Sequence, residues 1–307
     1  MEIFRKMKSV WKAHLALFIV NLLYAASHIL AKGVMPLYLT PTVFILLRVS
    51  GACLLFWVIY RFFYFEKILK KDIGLLAACG LFGVAINQLF FFHGLHLSSA
   101  FNAGIIMAFN PIMVVILSYF LRKEKISLLQ AIGIFLGASG TIALTLNSAG
   151  TSIGSIFGDV FLVLNSLSYA IYLVIAKPLM SKYKPLTVIT WVFTFGLGFV
   201  LIFPPTIPET LATNFMQIPV EFIWKIVYVI VGVTFFTYLL TMYGLRYLSP
   251  TASSTYIYAQ PVMVIFFTIL FASIGWSENY ASAITGIKIM LMLVIFIGVY
   301  FANFKNK

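Results

Sequence analysis

The chain has 307 residues, 62% of them hydrophobic and only 9% charged, with a formal net charge of +13. A soluble domain carries about 25% charged residues, so this chain lacks the polar groups to cover a surface in water, and lipid is the solvent that fits it. The basic excess lies in short loops between apolar runs, which argues against nucleic acid and for the positive-inside rule.

In chain order, the first stretch, 1–13, is basic and holds Arg5, Lys6, Lys8 and Lys12. It runs into an apolar segment too long for a signal peptide, with no small-residue cleavage site, so an uncleaved first span is expected. Ten apolar segments follow at about 14–31, 41–60, 73–92, 97–119, 127–146, 156–176, 186–204, 221–242, 250–271 and 282–303. Each is long enough to cross a bilayer as a helix, which bonds its own backbone groups in lipid. Cys53 and Cys79 fall inside such runs, so no disulfide is expected. The longest connection is 205–220, and a small polar linker runs from Gly150 to Gly154.

The loop charges sort by side. Arg61, Lys67, Lys70, Lys71, Arg122, Lys123, Lys125, Lys177, Lys182, Lys184, Arg246, Lys305 and Lys307 share the side of the N-terminus. Lys32 is nearly alone on the other. By the positive-inside rule both termini are cytoplasmic, the number of spans is even, and the expected location is the cell inner (plasma) membrane.

Gly94 to Val114, GLHLSSAFNAGIIMAFNPIMV, has a faint copy at Gly244 to Val264, GLRYLSPTASSTYIYAQPVMV. At one offset Gly94 meets Gly244, Leu95 meets Leu245, Ser99 meets Ser249, Pro111 meets Pro261 and Met113 meets Met263. Asn110 and Gln260, each just before its proline, are both side-chain amides. The flanks repeat too: Tyr24-Ala25 and Ala31-Lys32 match Tyr169-Ala170 and Ala176-Lys177, and Pro41 and Pro185 follow. Two halves of five spans fit these matches. Five is odd, so the second half enters the membrane from the opposite side. The expected fold is an all-α membrane protein of ten transmembrane helices in two inverted five-helix repeats. The repeats cover 14–147 and 156–303, with a linker at 148–155 and a cytoplasmic end at 304–307.

Together these features resemble the EamA-type branch of the drug/metabolite transporter superfamily. The residues that carry the resemblance are the Gly-Leu…Pro segments ending in Pro111 and Pro261, Arg48 in span two, and Glu124 followed by Gly133, Gly137 and Gly140. It covers about 14–303. The second half departs from the pattern around Glu278 and Gly286, where glycines are sparser and Lys288 intrudes. The resemblance implies alternating access around a central cavity lined by spans one, three, four, six, eight and nine, with spans five and ten at a peripheral, dimer-like position. It also implies export of amino acids or related compounds. A monomer or weak homodimer is expected.

Polar residues inside spans are costly and face a cavity or a partner helix. Asn21, Tyr24 and His28 share a face of span one, and Asn165, Tyr169 and Tyr172 a face of span six. Span three offers Asn87, Gln88, Phe91 and Phe92, and span four Asn102 and Asn110. Span eight offers Tyr238 with Thr237 and Thr241, and span nine Tyr256 and Gln260 at i and i+4, with Tyr258 nearby. Such a lining suits neutral or zwitterionic, partly apolar solutes. The competing reading of each amide is a hydrogen bond between helices.

Arg48 either binds a substrate carboxylate or phosphate through its planar fork or contacts backbone carbonyls. Lys288 is close enough to the outer surface to snorkel. Pro111 and Pro261 should kink their helices, as hinges or as static bends. His93 and His96 are expected at the surface, with a proton role as the alternative, and Glu124 either pairs within its basic cluster or caps span five.

There is no Walker motif, no metal-ligand spacing and no nucleophile beside a base. No catalytic residue, metal or cofactor is expected, and the chain is not expected to be an enzyme. The expected function is secondary transport of small organic metabolites, amino acids or related neutral or zwitterionic compounds, by an exporter. Its expected partners are that small-molecule substrate and the lipid bilayer, with no nucleic acid. The alternative is a membrane-embedded enzyme or a scaffold. The first would need His, Asp or Glu clustered at the membrane face and the second an output domain, and the sequence shows neither.

Overall fold

The computed structural model describes residues 2–31, 39–63, 66–98, 106–147, 155–273 and 286–303, and all regular structure among them is helical. The helices are α1 (Glu2–Ala31), α2 (Pro41–Phe63), α3 (Ile73–Gly80), α4 (Ile86–Leu97), α5 (Asn110–Arg122), α6 (Leu128–Asn147) and α7 (Ile156–Lys182). Then come α8 (Pro185–Ile202), α9 (Thr206–Ala212), α10 (Val220–Tyr228), α11 (Thr237–Tyr247), α12 (Pro250–Ser254), α13 (Gln260–Ser273) and α14 (Gly286–Asn303). Two π-helical stretches, Leu81–Ala85 and Val229–Phe236, run α3 into α4 and α10 into α11. A 3₁₀ stretch, Thr255–Ala259, runs α12 into α13.

Among the described residues six helical stretches are long and apolar enough to cross a membrane: Ser9–Ala26, Pro41–Phe62, Lys70–Leu97, Ile156–Lys182, Pro185–Ile202 and Phe222–Tyr247. Shorter apolar helices are Ile106–Arg122, Leu128–Leu144 and Ile289–Asn303. Phe62, Phe120, Phe135, Phe157 and Ile202 point outward and are 71% to 79% exposed. In water that apolar area would be unfavourable, and against lipid tails it is not. The chain is an all-α, multi-pass membrane protein.

Local sequence sets the helix ends. Proline stands in the first turn of α2, α5, α8 and α12, where a missing N–H removes a donor that has no helical partner anyway. Ser127 and Gln130 form a capping box on α6. Ser127 Oγ accepts from the Gln130 N–H at 3.2 Å, and Gln130 Oε1 accepts from the Ser127 N–H at 3.0 Å. Glu124 is therefore not the cap, and pairs with Arg122 at 2.8 Å. α5 ends at Lys123, whose φ of 55° turns the chain so that the Lys123 and Glu124 N–H groups bond the Tyr119 and Ser118 carbonyls.

Packing repeats when the halves are exchanged. α1 packs on α11 and α13, and α7 packs on α4 and α5. α2 packs on α8, and α6 on α14. A Cβ added to Gly94 would meet Leu162 of α7 at 2.9 Å, and one added to Gly244 would meet Leu17 of α1 at 2.7 Å. α6 and α14 touch backbone to backbone: a Cβ on Gly298 would lie 2.5 Å from the Gly137 nitrogen. The last helix has few glycines but keeps the one its neighbour's backbone requires.

Several expectations change. Spans four and nine each depart from regular α-helix just before their proline. α5 starts at Asn110 after a turn at Phe109, and α13 starts at Gln260 after the 3₁₀ stretch. Pro111 and Pro261 thus open helices, the position where proline costs least. Pro178 is the proline inside a helix, α7. The basic 1–13 stretch is helical from Glu2, and 205–220 contains α9 and a 3₁₀ turn, Phe215–Gln217. Asn102, Lys32, Glu278, the 150–154 linker and the side chains of His28 and Lys288 lie outside the described residues.

Candidate functional site

The two π stretches sit at equivalent positions of the sequence echo. Their looser ladder frees backbone oxygens, a feature frequent at functional sites. On Leu81–Ala85, the Ser168 hydroxyl donates to the Phe82 carbonyl, and the Tyr238 phenol to the Gly83 carbonyl at 3.0 Å. On Val229–Phe236, Thr234 Oγ1 donates to the Val229 carbonyl at 2.8 Å, and Thr237 Oγ1 bonds the Val233 carbonyl. Thr237 Oγ1 and the Tyr24 phenol lie 3.2 Å apart. One region thus gathers groups from α1, α4, α7 and α11.

Arg48 of α2 reaches the same region and is 6% exposed. Its Nε donates to Thr234 Oγ1 at 3.1 Å. The guanidinium lies over the ring of Phe92, 4.7 Å from the centroid, and 5.6 Å from that of Phe44. The ion pairs among the described residues are Arg122–Glu124 and Lys182–Asp72, so no carboxylate there neutralises Arg48. Its hydrogen bond goes to a hydroxyl and not to a backbone carbonyl. Gln88 is 3% exposed, and its amide makes no closer contact with a polar group among the described residues than a loose one with the Tyr238 phenol.

The other amides tie helices together. Gln260 Nε2 donates to Asn21 Oδ1 at 2.9 Å, and Asn21 Nδ2 to the Leu17 carbonyl at 2.7 Å. Asn110 Nδ2 donates to the Ser166 carbonyl at 2.7 Å. Ser166 occupies in α7 the place that Asn21 occupies in α1, so each amide joins a helix break to the long helix beside it. Asn165 Nδ2 donates to the Asn87 carbonyl at 2.7 Å.

Tyrosines complete the centre. Ring centroids of Tyr169 and Tyr172 are 6.0 Å apart, and those of Tyr172 and Tyr238 6.5 Å. Tyr172 is fully buried and donates to Met242 Sδ at 3.4 Å, while Tyr238 OH stands 3.4 Å from Asn87 Oδ1. Tyr24, Phe91 and Tyr169 are half-buried.

Two aromatic residues of span nine lie elsewhere. The Tyr256 phenol meets His14 Nδ1 at 2.6 Å, among Leu17, Leu248 and Ala252. The Tyr258 ring lies on Gly137 of α6. Both belong to the 3₁₀ stretch, which turns about 120° per residue, so Tyr256 and Gln260 do not share the face that α-helical spacing implies. His93 is half-buried rather than at the surface, with Nδ1 2.9 Å from the Leu89 carbonyl and Nε2 3.4 Å from Thr42 Oγ1. His96 is exposed.

Thr234 and Lys177 are the residues that sequence reasoning passed over. Thr234, Thr237 and Thr241 stand three and four apart, a polar row that marks a helix face. Lys177 of α7 caps the end of α11, its Nζ donating to the carbonyls of Leu245, Arg246 (3.2 Å) and Leu248 (2.6 Å). A groove of about 330 Å³ among α3, α5 and α7, lined by Leu75, Leu121, Arg122, Val174, Ile175 and Pro178, lies apart from this centre. Its one charged side chain, Arg122, is already paired with Glu124.

An apolar helical bundle with a buried polar centre, packed alike in its two halves, is the build of a membrane transporter. The chain matches the EamA-like transporter family twice, over residues 11–146 and 156–304, and it belongs to that family. It is 27% identical over 310 residues to an uncharacterized transporter of Archaeoglobus fulgidus, covering 96% of this chain and 98% of that one. A second uncharacterized transporter of that organism is 28% identical over 226 residues, 74% of this chain and 78% of its own. A WAT1-related protein of Arabidopsis thaliana is 23% identical over 218 residues, 59% of this chain and 58% of its own. One solved crystal structure superposes with a TM-score of 0.71 at 17% identity over 96% of both chains, and so shares the fold.

Proposed function

We propose that this transporter is a secondary exporter of small organic metabolites, amino acids or related neutral or zwitterionic compounds, working by alternating access across the inner membrane. The observation that carries the reading is the exchange of packing between halves around one buried polar centre: α1 on α11 and α13, α7 on α4 and α5. In this reading the chain has ten spans in two repeats, 14–147 and 156–303. An odd five spans per repeat would invert the second, and the loop charges support cytoplasmic termini. Two opposed and similar halves support two packings of nearly equal free energy, one open to each side, and bound solute crosses as they interchange.

Asn21, Tyr24, Asn87, Gln88, Phe91, Tyr169, Tyr172, Tyr238 and Gln260 line the path. Asn110 and Asn165 hold its walls, and the helix openings at Pro111 and Pro261 absorb the movement. No bond is made or broken. Phenols and amides offer donors and acceptors whose partners change, and the aromatic faces hold the apolar part of the solute.

The test is counterflow of a labelled amino-acid and metabolite panel in proteoliposomes, with alanine variants at Asn21, Tyr24, Tyr169 and Gln260. The expected result is saturable flux, with KM raised about tenfold or more in variants that still fold. Flux of no panel solute by the parent overturns transport. Unchanged kinetics in all four variants overturns the path.

A further inference from the structure

We infer that Arg48 and Gln88 anchor a carboxylate, so that the transported solute must carry one. The inference rests on the transport reading and narrows its substrate class. An arginine this far inside a helical bundle is unfavourable unless an anion or an aqueous cavity meets it. Arg48 is 6% exposed and bonds one hydroxyl, that of Thr234, through Nε. A guanidinium has five N–H donors in a rigid fork. The groups around it are the Phe44 and Phe92 rings, the Thr234 hydroxyl and the Tyr24 and Tyr238 phenols. Rings and hydroxyls leave its charge uncompensated, and no carboxylate among the described residues compensates it.

Gln88 is an independent pointer. It is 3% exposed, and its amide, with two donors and an acceptor, has no closer partner among the described residues than a loose approach to the Tyr238 phenol. Its N–H₂ complements a carboxylate oxygen, and its carbonyl complements an ammonium or hydroxyl on the same solute. Phe92, whose ring lies under the Arg48 guanidinium, stands one turn from Gln88 on the same face of α4. An amide in place of the carboxylate loses the charge-assisted pairing, and a bare amine meets a like charge.

The test uses wild-type protein in detergent and three acid–amide pairs: leucine and leucinamide, phenylalanine and phenylalaninamide, threonine and threoninamide. Thermal-shift titrations read the affinities, with sodium chloride alone as a further arm. At least one acid should bind about tenfold or more tightly than its amide. Arg48→Gln should erase that preference and Arg48→Lys should keep part of it, since lysine retains the charge without the fork. No acid–amide difference in any pair, with both bound equally or neither bound, overturns the inference. So does a shift that chloride alone reproduces in full, which marks an adventitious ion only. The wild-type comparison decides even where Arg48→Gln does not fold. Flux in proteoliposomes without preference for acids overturns the anchor and leaves transport standing. Arg48-dependent acid binding without flux of any solute does the reverse.

Discussion

Gly51 of α2 receives the side chain of Ile230, so a Cβ there would lie 2.8 Å from Ile230 Cγ2. At the matching contact in the other half, Phe195 of α8 lies on Gly80, and a Cβ on Gly80 would meet Phe195 Cβ at 2.8 Å. Large and small have changed sides, but the helices meet in the same way. The polar groups are not exchanged like this. Counting from Pro41 and Pro185, the helix position of Arg48 is held in the second half by Val192, which is fully buried. Thr234, which bonds Arg48, has Val84 as its counterpart by the sequence echo. The halves share what holds helices together, and only one crossing between them carries the cation. On the transport reading proposed above, shared packing would serve movement and the asymmetry would be where one solute is told apart from others.

The comparison breaks most severely where both halves meet along α6 and α14. Gly298→Leu would drive a side chain into the Gly137 backbone, and backbone cannot swing aside as a side-chain tip can. We expect a loss of about 3 kcal/mol or more, read as loss of monodisperse protein on size exclusion or a large drop in melting temperature. A variant that melts with the parent would show that this interface does not support the fold.

The sequence made the helical, membrane-embedded character legible, because apolar runs of this length admit no other structure in lipid. It also made legible the amides Asn110 and Gln260, because the echo pairs them. It did not reveal the π stretches. In Leu81–Ala85 the freed oxygens are taken by Ser168 and Tyr238 from other helices, which no local pattern encodes, whereas in Val229–Phe236 they are taken by Thr234 and Thr237 of the same segment and its continuation. The 3₁₀ stretch also separates Tyr256 from Gln260, because α-helical spacing does not hold where the turn is tighter. Gly298 stayed hidden because its need comes from the Gly137 backbone, far away in sequence.

A pair of smaller changes sharpens the contrast between halves. Gly80→Ala meets the Gly196 nitrogen and the Val192 carbonyl oxygen, both backbone, at 2.8 Å. Gly51→Ala meets only the Ile230 side chain, which can turn away. The first should cost about 1–3 kcal/mol and the second less than about 1 kcal/mol, measured by thermal melting in one detergent. Ile230→Ala, which removes the Cγ2 and Cδ1 that a Cβ on Gly51 would meet, should cost less stability in Gly51→Ala than in the parent, with no such coupling in Gly80→Ala. Equal costs in the two single variants would mean that the exchange of large and small residues carries no packing information.

The smallest effect is expected at Lys177. Its ammonium joins the end of α7 to the last carbonyls of α11, two helices that both border the polar centre. Lys177→Met keeps the length of the stem and removes the charge, so the carbonyls lose a cap that also complements the helix dipole. Partial exposure limits the loss to about 1 kcal/mol. The informative readout is therefore labelling rather than melting. A single cysteine placed at Tyr169, with Cys53 and Cys79 replaced, should react faster from the Lys177 side of the membrane in Lys177→Met than with Lys177 intact. If Lys177 only trims the end of α11, the labelling rate stays the same and the melting temperature alone moves. A faster rate identifies this contact as one that holds α7 and α11 together at that end of the centre.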